Sequence, residues 1–365
     1  MLQTVIIGAG VMGLSIARQL NHKGRHIHII DRSTPRMNAS YAAGGMLGAQ
    51  NEFFEDTPLY RLAMASRAMM PETAEQLRKE THMDIELQTY GLIKVATCAA
   101  HMPDVEKQFA FLSSQDHAIY QLTPAQLRQR FPNCDTETCA AFKIHDDGQI
   151  NANLYTQALL QSVAKRPHID LHLHTEVMHI TQTDDHYHIA TSRGVFYADQ
   201  LIIAAGAWSG TLLKQLDIEL PTQPVKGDVK LIESDYTGLK ETIFNMNGCY
   251  IVPKKPNRFL IGATSELDNW STHNNPTNIR WLDQESLHMI PALRQHRVIK
   301  TWTGIRPITP DGIPIMGAIR PNLYVSTGHY RNGILLSPIV GQLMAQLIDG
   351  NSNAKKQLLP FSPIK

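Results

Sequence analysis

Cysteine is scarce in this chain. Four occur in 365 residues, Cys98, Cys134, Cys139 and Cys249, without the paired close spacings of a zinc site and too few to staple a protein of this length. Reduced thiols in the cytoplasm are the expectation. Net charge is nearly absent as well, with 34 Lys and Arg against 33 Asp and Glu, so no global field favours nucleic acid or an anionic membrane. Recognition must therefore be local. No apolar run reaches the roughly 20 residues that span a bilayer, and the apolar start MLQTVIIGAGVMGL carries neither a basic leader nor a cleavage site. Metal-ligand sets are thin too. Among 17 histidines the best cluster is His172 and His174 in HIDLHLHTEV, where they alternate with Leu171 and Leu173 as the wet face of a half-buried strand would. Without Cys or carboxylate partners they predict no metal site.

What is present is hydrophobic mass and glycine in particular places. Hydrophobic residues make up 43% of the chain, enough for two domains sharing an interface. Residues 4 to 7, TVII, read as a strand running into GAGVMG; SIARQLNHKG then reads as a helix ending at Gly24, and HIHIID as a second strand. This is a βαβ unit with Gly8, Gly10 and Gly13 at its turn and Asp31 at the end of its second strand. Gly8 permits the tight turn, Gly10 lets a pyrophosphate approach the backbone, and Gly13 lets helix and strand pack closely. Phosphates are expected on the free amides near Val11 and Met12, and a ribose on the Asp31 carboxylate.

Two further apolar runs, DQLIIAAGAWSG (199 to 210) and NLYVSTGHYRNGILLSP (322 to 338), read as parallel strands of the same sheet that empty into glycine turns. The segments IELQTYGLIKVA, GDVKLIES, CYIVPKK and RFLIGAT read as antiparallel strands of a second domain. Helix PIVGQLMAQLIDG ends at Gly350, and its start, at Gly333 or at the Ser337–Pro338 cap, is left open. The fold class expected is α/β plus α+β, a Rossmann-like dinucleotide domain interleaved with a mostly antiparallel sheet domain. Residues 39 to 48, ASYAAGGMLG, are almost all small and would let backbone approach a flat ring system.

Taken together, GAGVMG, ASYAAGGML, IIAAGAWSG, CYIVPK, IGAT, WTGIRPITPDGIPIMG and GHYRNGILLSP resemble the D-amino-acid oxidase family, in particular its glycine oxidases of thiamine biosynthesis. The resemblance implies an FAD-binding domain of residues 1–84, 149–217 and 302–365, and a substrate-binding domain of residues 85–148 and 218–301. It also implies a homotetramer in the cytoplasm, and thiazole synthase as a receiver of the product imine. ADP contacts would fall on Val11, Met12, Asp31 and Arg32; contacts nearer the pyrophosphate and flavin on Ala39, Ser40, Gly44, Gly45 and Met46; an adenine backbone contact on Val177. His329, Arg331, Asn332, Gly333, Ile334 and Leu335 would line the pyrimidine end of the flavin. Asp31 departs from the family, which usually has Glu there. Relatives that bind flavin covalently use a Cys in the region of DGIPIMG; none lies there, so non-covalent FAD is expected.

The chemistry implied is hydride transfer from the α-carbon of glycine, sarcosine or a small D-amino acid to flavin N5, with O2 as acceptor and H2O2 as product. A substrate carboxylate in a dry pocket needs a matched cation. Arg306 is that residue, able to give two parallel hydrogen bonds, although a salt bridge to nearby Asp311 competes for it. Tyr250 would add a phenol hydrogen bond, or be an ordinary strand tyrosine. A backbone carbonyl near Arg331 would meet the amine. Gly248 stands where the relatives have His and Ser265 where they have Met, which predicts a roomier pocket. A quinone-linked D-amino-acid dehydrogenase, an enzyme acting on a glycine-like group of transfer RNA, and a non-enzymatic flavin binder are the competing readings; near-neutral charge disfavours the transfer RNA reading.

Overall fold

The computed structural model describes residues 1–22, 24–33, 38–135, 137, 139–183 and 185–364. Its first strand, Leu2–Ile7, is buried from Thr4 onward and lies at the centre of a six-stranded sheet. It pairs in parallel with Arg25–Ile30 on one side and Gln200–Ile203 on the other. Leu323–Thr327 extends the sheet beyond Gln200–Ile203 in parallel, and Ile169–His172 extends it beyond Arg25–Ile30. The hairpin partner Ile315–Arg320 closes one edge antiparallel. Near-continuous apolar runs such as LQTVII and QLII suit this position, because strands of a parallel sheet are covered on both faces.

The first helix is Val11–Leu20, so it starts inside the glycine stretch and stops before Gly24. Gly10 already holds the extended N-cap geometry, φ −75° and ψ 176°, and Leu14 donates to its carbonyl at 3.0 Å. The last long helix is Gly333–Ile348, which resolves the open start in favour of Gly333. Pro338 lies inside it and withholds an amide from the carbonyl of Ile334; Ser337 Oγ donates to that carbonyl at 2.9 Å instead. Gly341 of this helix has no room for a Cβ, which would sit 2.8 Å from the Ser15 side chain, so the two glycine-led helices touch backbone to backbone.

The second sheet has nine strands. Its long members, Gln223–Glu233 and Arg297–Ile308, pair antiparallel along most of their length. Tyr250–Lys254 pairs antiparallel with Arg258–Gly262 as expected. Leu92–Ala96 is an exception: it runs parallel to Thr242–Asn245, because the chain between them crosses over through other elements instead of turning tightly. The division at residue 302 expected from sequence falls inside Arg297–Ile308, one unbroken strand that carries Arg306. A separate three-stranded meander covers Val177–Gln182, Tyr187–Thr191 and Gly194–Ala198. No helix among the described residues is long and apolar enough to cross a membrane.

Candidate active site

One cavity of about 390 Å³ takes lining residues from both large sheets, from the glycine turn after Leu2–Ile7 to Tyr250 and Arg306. This volume is ordinary for a small-molecule or cofactor site. At the turn, Gly8 has φ +115°, and a Cβ there would overlap the carbonyl of Ala204. Gly13 is a packing residue: its Cβ would overlap the carbonyl oxygen of Gly8, and it does not line the cavity. Gly10 is different. Only Ser40 Oγ, at 3.3 Å, comes near the place of its missing Cβ, so its other side stays open to a ligand.

Asp31 Oδ2 accepts from the Ala9 amide at 2.7 Å and Oδ1 from the Ser33 amide at 2.8 Å. The carboxylate therefore braces the turn, and the residue lines the cavity. Val11, Met12, Arg32 and Val177 line the same end. Arg32 stacks 4.0 Å above the ring of Trp208, a partner the sequence reading did not single out although it stands in GAWSG.

Ala39, Ser40, Gly44, Gly45 and Met46 line the middle. Their small size follows from crowding. Ser40 Oγ accepts from the Val11 amide at 3.1 Å, a Cβ on Gly45 would overlap the Ile150 carbonyl, and one on Gly44 would lie 3.0 Å from the Tyr250 hydroxyl.

Tyr250 pairs across strands with Gly262, where a Cβ would come within 2.6 Å of its hydroxyl, so its ring occupies space that glycine vacates. Phe244 stacks on it at 6.0 Å. Burial pushes the phenol up to about 12, with Arg306 and Arg331 pulling the other way, so it is protonated and able to donate.

Arg306 fills space left by Gly227, whose Cβ would overlap its Nη2. It donates to the Thr264 carbonyl and reaches Ser265 Oγ at 3.5 Å, with its guanidinium 5.3 Å from the Tyr330 ring centre. Asp311, the competing partner, has Oδ1 accepting from the Ile313 amide at 3.1 Å. Burial lowers the Arg306 pKa from its ordinary value; Tyr330, Tyr250 and Glu52 oppose this and Arg331 adds to it. No carboxylate within salt-bridge distance answers its charge among the described residues.

Arg331 stands at the mouth, Nη1 to Glu52 Oε1 at 2.8 Å. Burial pulls its pKa down, but Glu52 and Tyr330 outweigh that and hold it above the ordinary value. His329, Asn332, Gly333 and Ile334 line the cavity, whereas Leu335 does not. With the helix starting at Gly333, each residue turns by about 100° and the third side chain points into the core. Glu52 carried no local signal, because its partner lies 279 positions away.

These walls suit a flavin dinucleotide. His329 Nε2 and Ser326 Oγ are buried without a protein partner on residues that line the cavity, and burial holds the imidazole neutral, its pKa pulled to about 3. The N-termini of Val11–Leu20 and Gly333–Ile348 both open onto the cavity and offer amides and positive dipole ends to phosphate or an electron-rich ring edge.

The description of the DAO family, FAD dependent oxidoreductase, matches residues 3–347. The chain is 38% identical over 360 residues to a glycine oxidase of Geobacillus kaustophilus (strain HTA426), covering 98% of this chain and 95% of that one. A crystal structure of glycine oxidase from Geobacillus kaustophilus superposes with a TM-score of 0.93 at 37% identity, over 99% of this chain and 98% of that one. A bifunctional protein ThiO/ThiG of Trichormus variabilis is 32% identical over 94% of this chain, a match that spans 52% of the longer protein. Likeness over nearly the whole chain, joined to a cavity shaped for a dinucleotide, makes this protein a member of the DAO family of FAD dependent oxidoreductases, with FAD as its cofactor.

Proposed function

We propose that this enzyme oxidises glycine and related small amino acids, sarcosine and small D-amino acids among them, with O2 as electron acceptor and an imine and H2O2 as products. One observation carries the reading: Arg306, inside the cavity beside Tyr250, has no carboxylate within salt-bridge distance among the described residues, and the carboxylate whose charge reaches it, Glu52, is paired with Arg331. Burying a substrate carboxylate costs several kcal/mol unless a cation meets it. Arg306 meets it with parallel N–H donors and Tyr250 with a phenol O–H, which fixes orientation as well as charge. Held there, the α-carbon lies toward the cavity middle, and positioning lowers the barrier with little acid–base machinery. When bound, FAD supplies the electron sink, accepting a hydride at N5. Arg331 and Glu52 form the rim, and a backbone carbonyl beside Arg331 accepts from the substrate amine.

Pocket breadth rests on Gly248, with Ser265 outside the lining residues but in reach of Arg306. Gly248 lines the cavity, and a Cβ on it would meet nothing within 4 Å; exposed Ser265 reaches Arg306 and Tyr330 Oη, the latter at 3.4 Å. A missing methylene-sized contact changes discrimination by only about 1–3 kcal/mol, so sarcosine and D-alanine are turned over at efficiencies near that of glycine. The likeness to half of a fused ThiO/ThiG protein supports a role in supplying the glycine imine to thiazole synthase in thiamine biosynthesis. We place the enzyme in the cytoplasm as a homotetramer. Peroxide release on adding glycine to the aerobic holoenzyme tests the reading. Stoichiometric H2O2 is expected; turnover only with an added quinone would make it a dehydrogenase.

A further inference from the structure

Four metal-ligand side chains meet on the outer edge of the nucleotide-binding sheet, away from the residues that line the cavity. Two come from Arg25–Ile30 and two from its parallel neighbour Ile169–His172. Side chains on a strand alternate faces, so His26 and His28 share one face, as do Asp170 and His172. The register sets His28 opposite Asp170 and Ile30 opposite His172, which brings the four to the same face. In sequence, His172 stands beside His174 with no second histidine strand in view. His174 instead leaves the strand in a left-handed turn at φ 55°; Asp170 stands two residues before His172, and the histidine partners His26 and His28 arrive from about 140 positions earlier.

We propose that His26, His28, Asp170 and His172 form a binding site for a divalent transition metal of the zinc class. His26 Nε2 lies 2.9 Å from Asp170 Oδ2, His28 Nδ1 lies 3.7 Å from the same oxygen, and His28 Nδ1 lies 3.1 Å from His172 Nε2. The donor atoms of His26, His28 and Asp170 all fall within 4.8 Å of one another. Ligands bound at about 2.0–2.1 Å around one such ion stand about 3.0–3.4 Å apart, so His26, His28 and Asp170 need only small rotamer adjustments, while His172, close to His28 alone, must turn further to join them. Imidazole with a carboxylate selects zinc, nickel, cobalt or copper over magnesium or calcium.

The surroundings preorganise the ligands and leave them reachable. His26 and His28 stack at 4.6 Å, and Phe196 packs edge-on against His172 at 4.7 Å, so the rings are held without being sealed. The side chains of His26 and Asp170 remain 31% and 53% exposed, which gives a metal its route in. The ion would clip the edge strand Ile169–His172 to its single neighbour. Asp31 follows directly on that neighbour, and its amide donates to the His172 carbonyl at 3.1 Å. The site is thus structural, and binding there would steady the strand end that presents Asp31 to the cofactor.

The test is zinc titration of chelator-treated holoenzyme by calorimetry, with X-ray absorption spectroscopy of the zinc-loaded protein. One zinc per chain is expected, with nitrogen and oxygen ligands, a raised thermal midpoint, and no comparable response to magnesium. The double variant His26→Gln, His28→Gln should keep its FAD and yet bind zinc at least about a hundredfold more weakly, since loss of even an outer partner costs about 10–100-fold. Should the variant misfold, the absorption spectrum of the parent still decides. Sulfur scattering at about 2.3 Å would put the zinc on cysteine and overturn the assignment, as would millimolar affinity in the parent or equal affinity in the folded variant.

Discussion

Arg331 is held by Glu52, Nη1 to Oε1 at 2.8 Å, and this pairing separates the roles of the two arginines of the cavity. Arg331 spends its charge on Glu52 at the cavity mouth. Arg306 keeps its charge inside, with only the Thr264 carbonyl and Ser265 Oγ as hydrogen-bond partners among the described residues. Arg306 is thus left without an ion-pair partner among the described residues, and an amino acid carboxylate supplies one.

Arg306→Lys should retain FAD and lose most activity on carboxylate-bearing amines. A point charge replaces the two-pronged clamp, and losing part of a buried charge pair costs about 2–4 kcal/mol, a fall of about 30- to 1,000-fold in kcat/KM. Steady-state kinetics on glycine measure it. Unchanged kinetics would make Arg306 a structural residue.

The glycines of the turn should separate by role. Gly10→Ala meets only Ser40 Oγ, so the FAD-free protein should keep its thermal midpoint while FAD binds more weakly by about 1–3 kcal/mol, the usual cost of overpacking. Gly13→Ala drives a Cβ into the Gly8 carbonyl and should lower the midpoint of the FAD-free protein itself. Calorimetry and FAD titration on both variants distinguish these. Equal effects would remove the assigned division of labour.

FAD should leave the chain on acid precipitation, because none of the four cysteines, Cys98, Cys134, Cys139 and Cys249, lines the cavity. Flavin absorbance in the supernatant is the expected result, and yellow washed precipitate the contrary one.

Lys94 predicts a pH dependence of stability. Its Nζ is buried on the Asn51 carbonyl at 3.1 Å and 4.2 Å from the Phe244 ring centre. Burial, opposed by Glu52 and aided by Arg331, pulls its pKa to about 7. Its unfolded value is about 10.4, so between these limits the unfolded chain binds the extra proton and stability rises with pH. This contribution is complete above the unfolded value and lost as pH falls through about 7. Buried Lys254, also pulled to about 7, acts in the same direction. Lys94→Met should therefore flatten denaturation free energy against pH between neutrality and pH ~10 by up to about 1.4 kcal/mol per unit. An unchanged slope would mean that Lys94 keeps its proton when folded.

What the sequence made legible was whatever is encoded locally. GAGVMG and the two strands flanking it declared the nucleotide turn, because tight turns and close helix packing demand glycine at fixed offsets. Arg306 before Pro307 and Tyr250 in CYIVPKK stood out through their resemblance to family motifs. Features made by pairing across long separations were hidden. The Glu52–Arg331 bridge, the Arg32–Trp208 stack and the meeting of His28 with His172 each depend on which strands and loops become neighbours, and hydrophobic periodicity does not specify that. Helix starts were also ambiguous where two signals competed. Gly333 and the Ser337–Pro338 pair both looked like beginnings, and only the Ser337 hydroxyl bond to Ile334 shows how proline is accommodated inside.

Anaerobic mixing of the holoenzyme with a panel of amines, followed by flavin absorbance, bears on the claim that Arg306 anchors an amino acid carboxylate beside the cofactor. Glycine, sarcosine and D-alanine should bleach the flavin, and methylamine, which lacks the carboxylate, should not. Bleaching by methylamine as fast as by glycine, or by no amine in the panel, would contradict it.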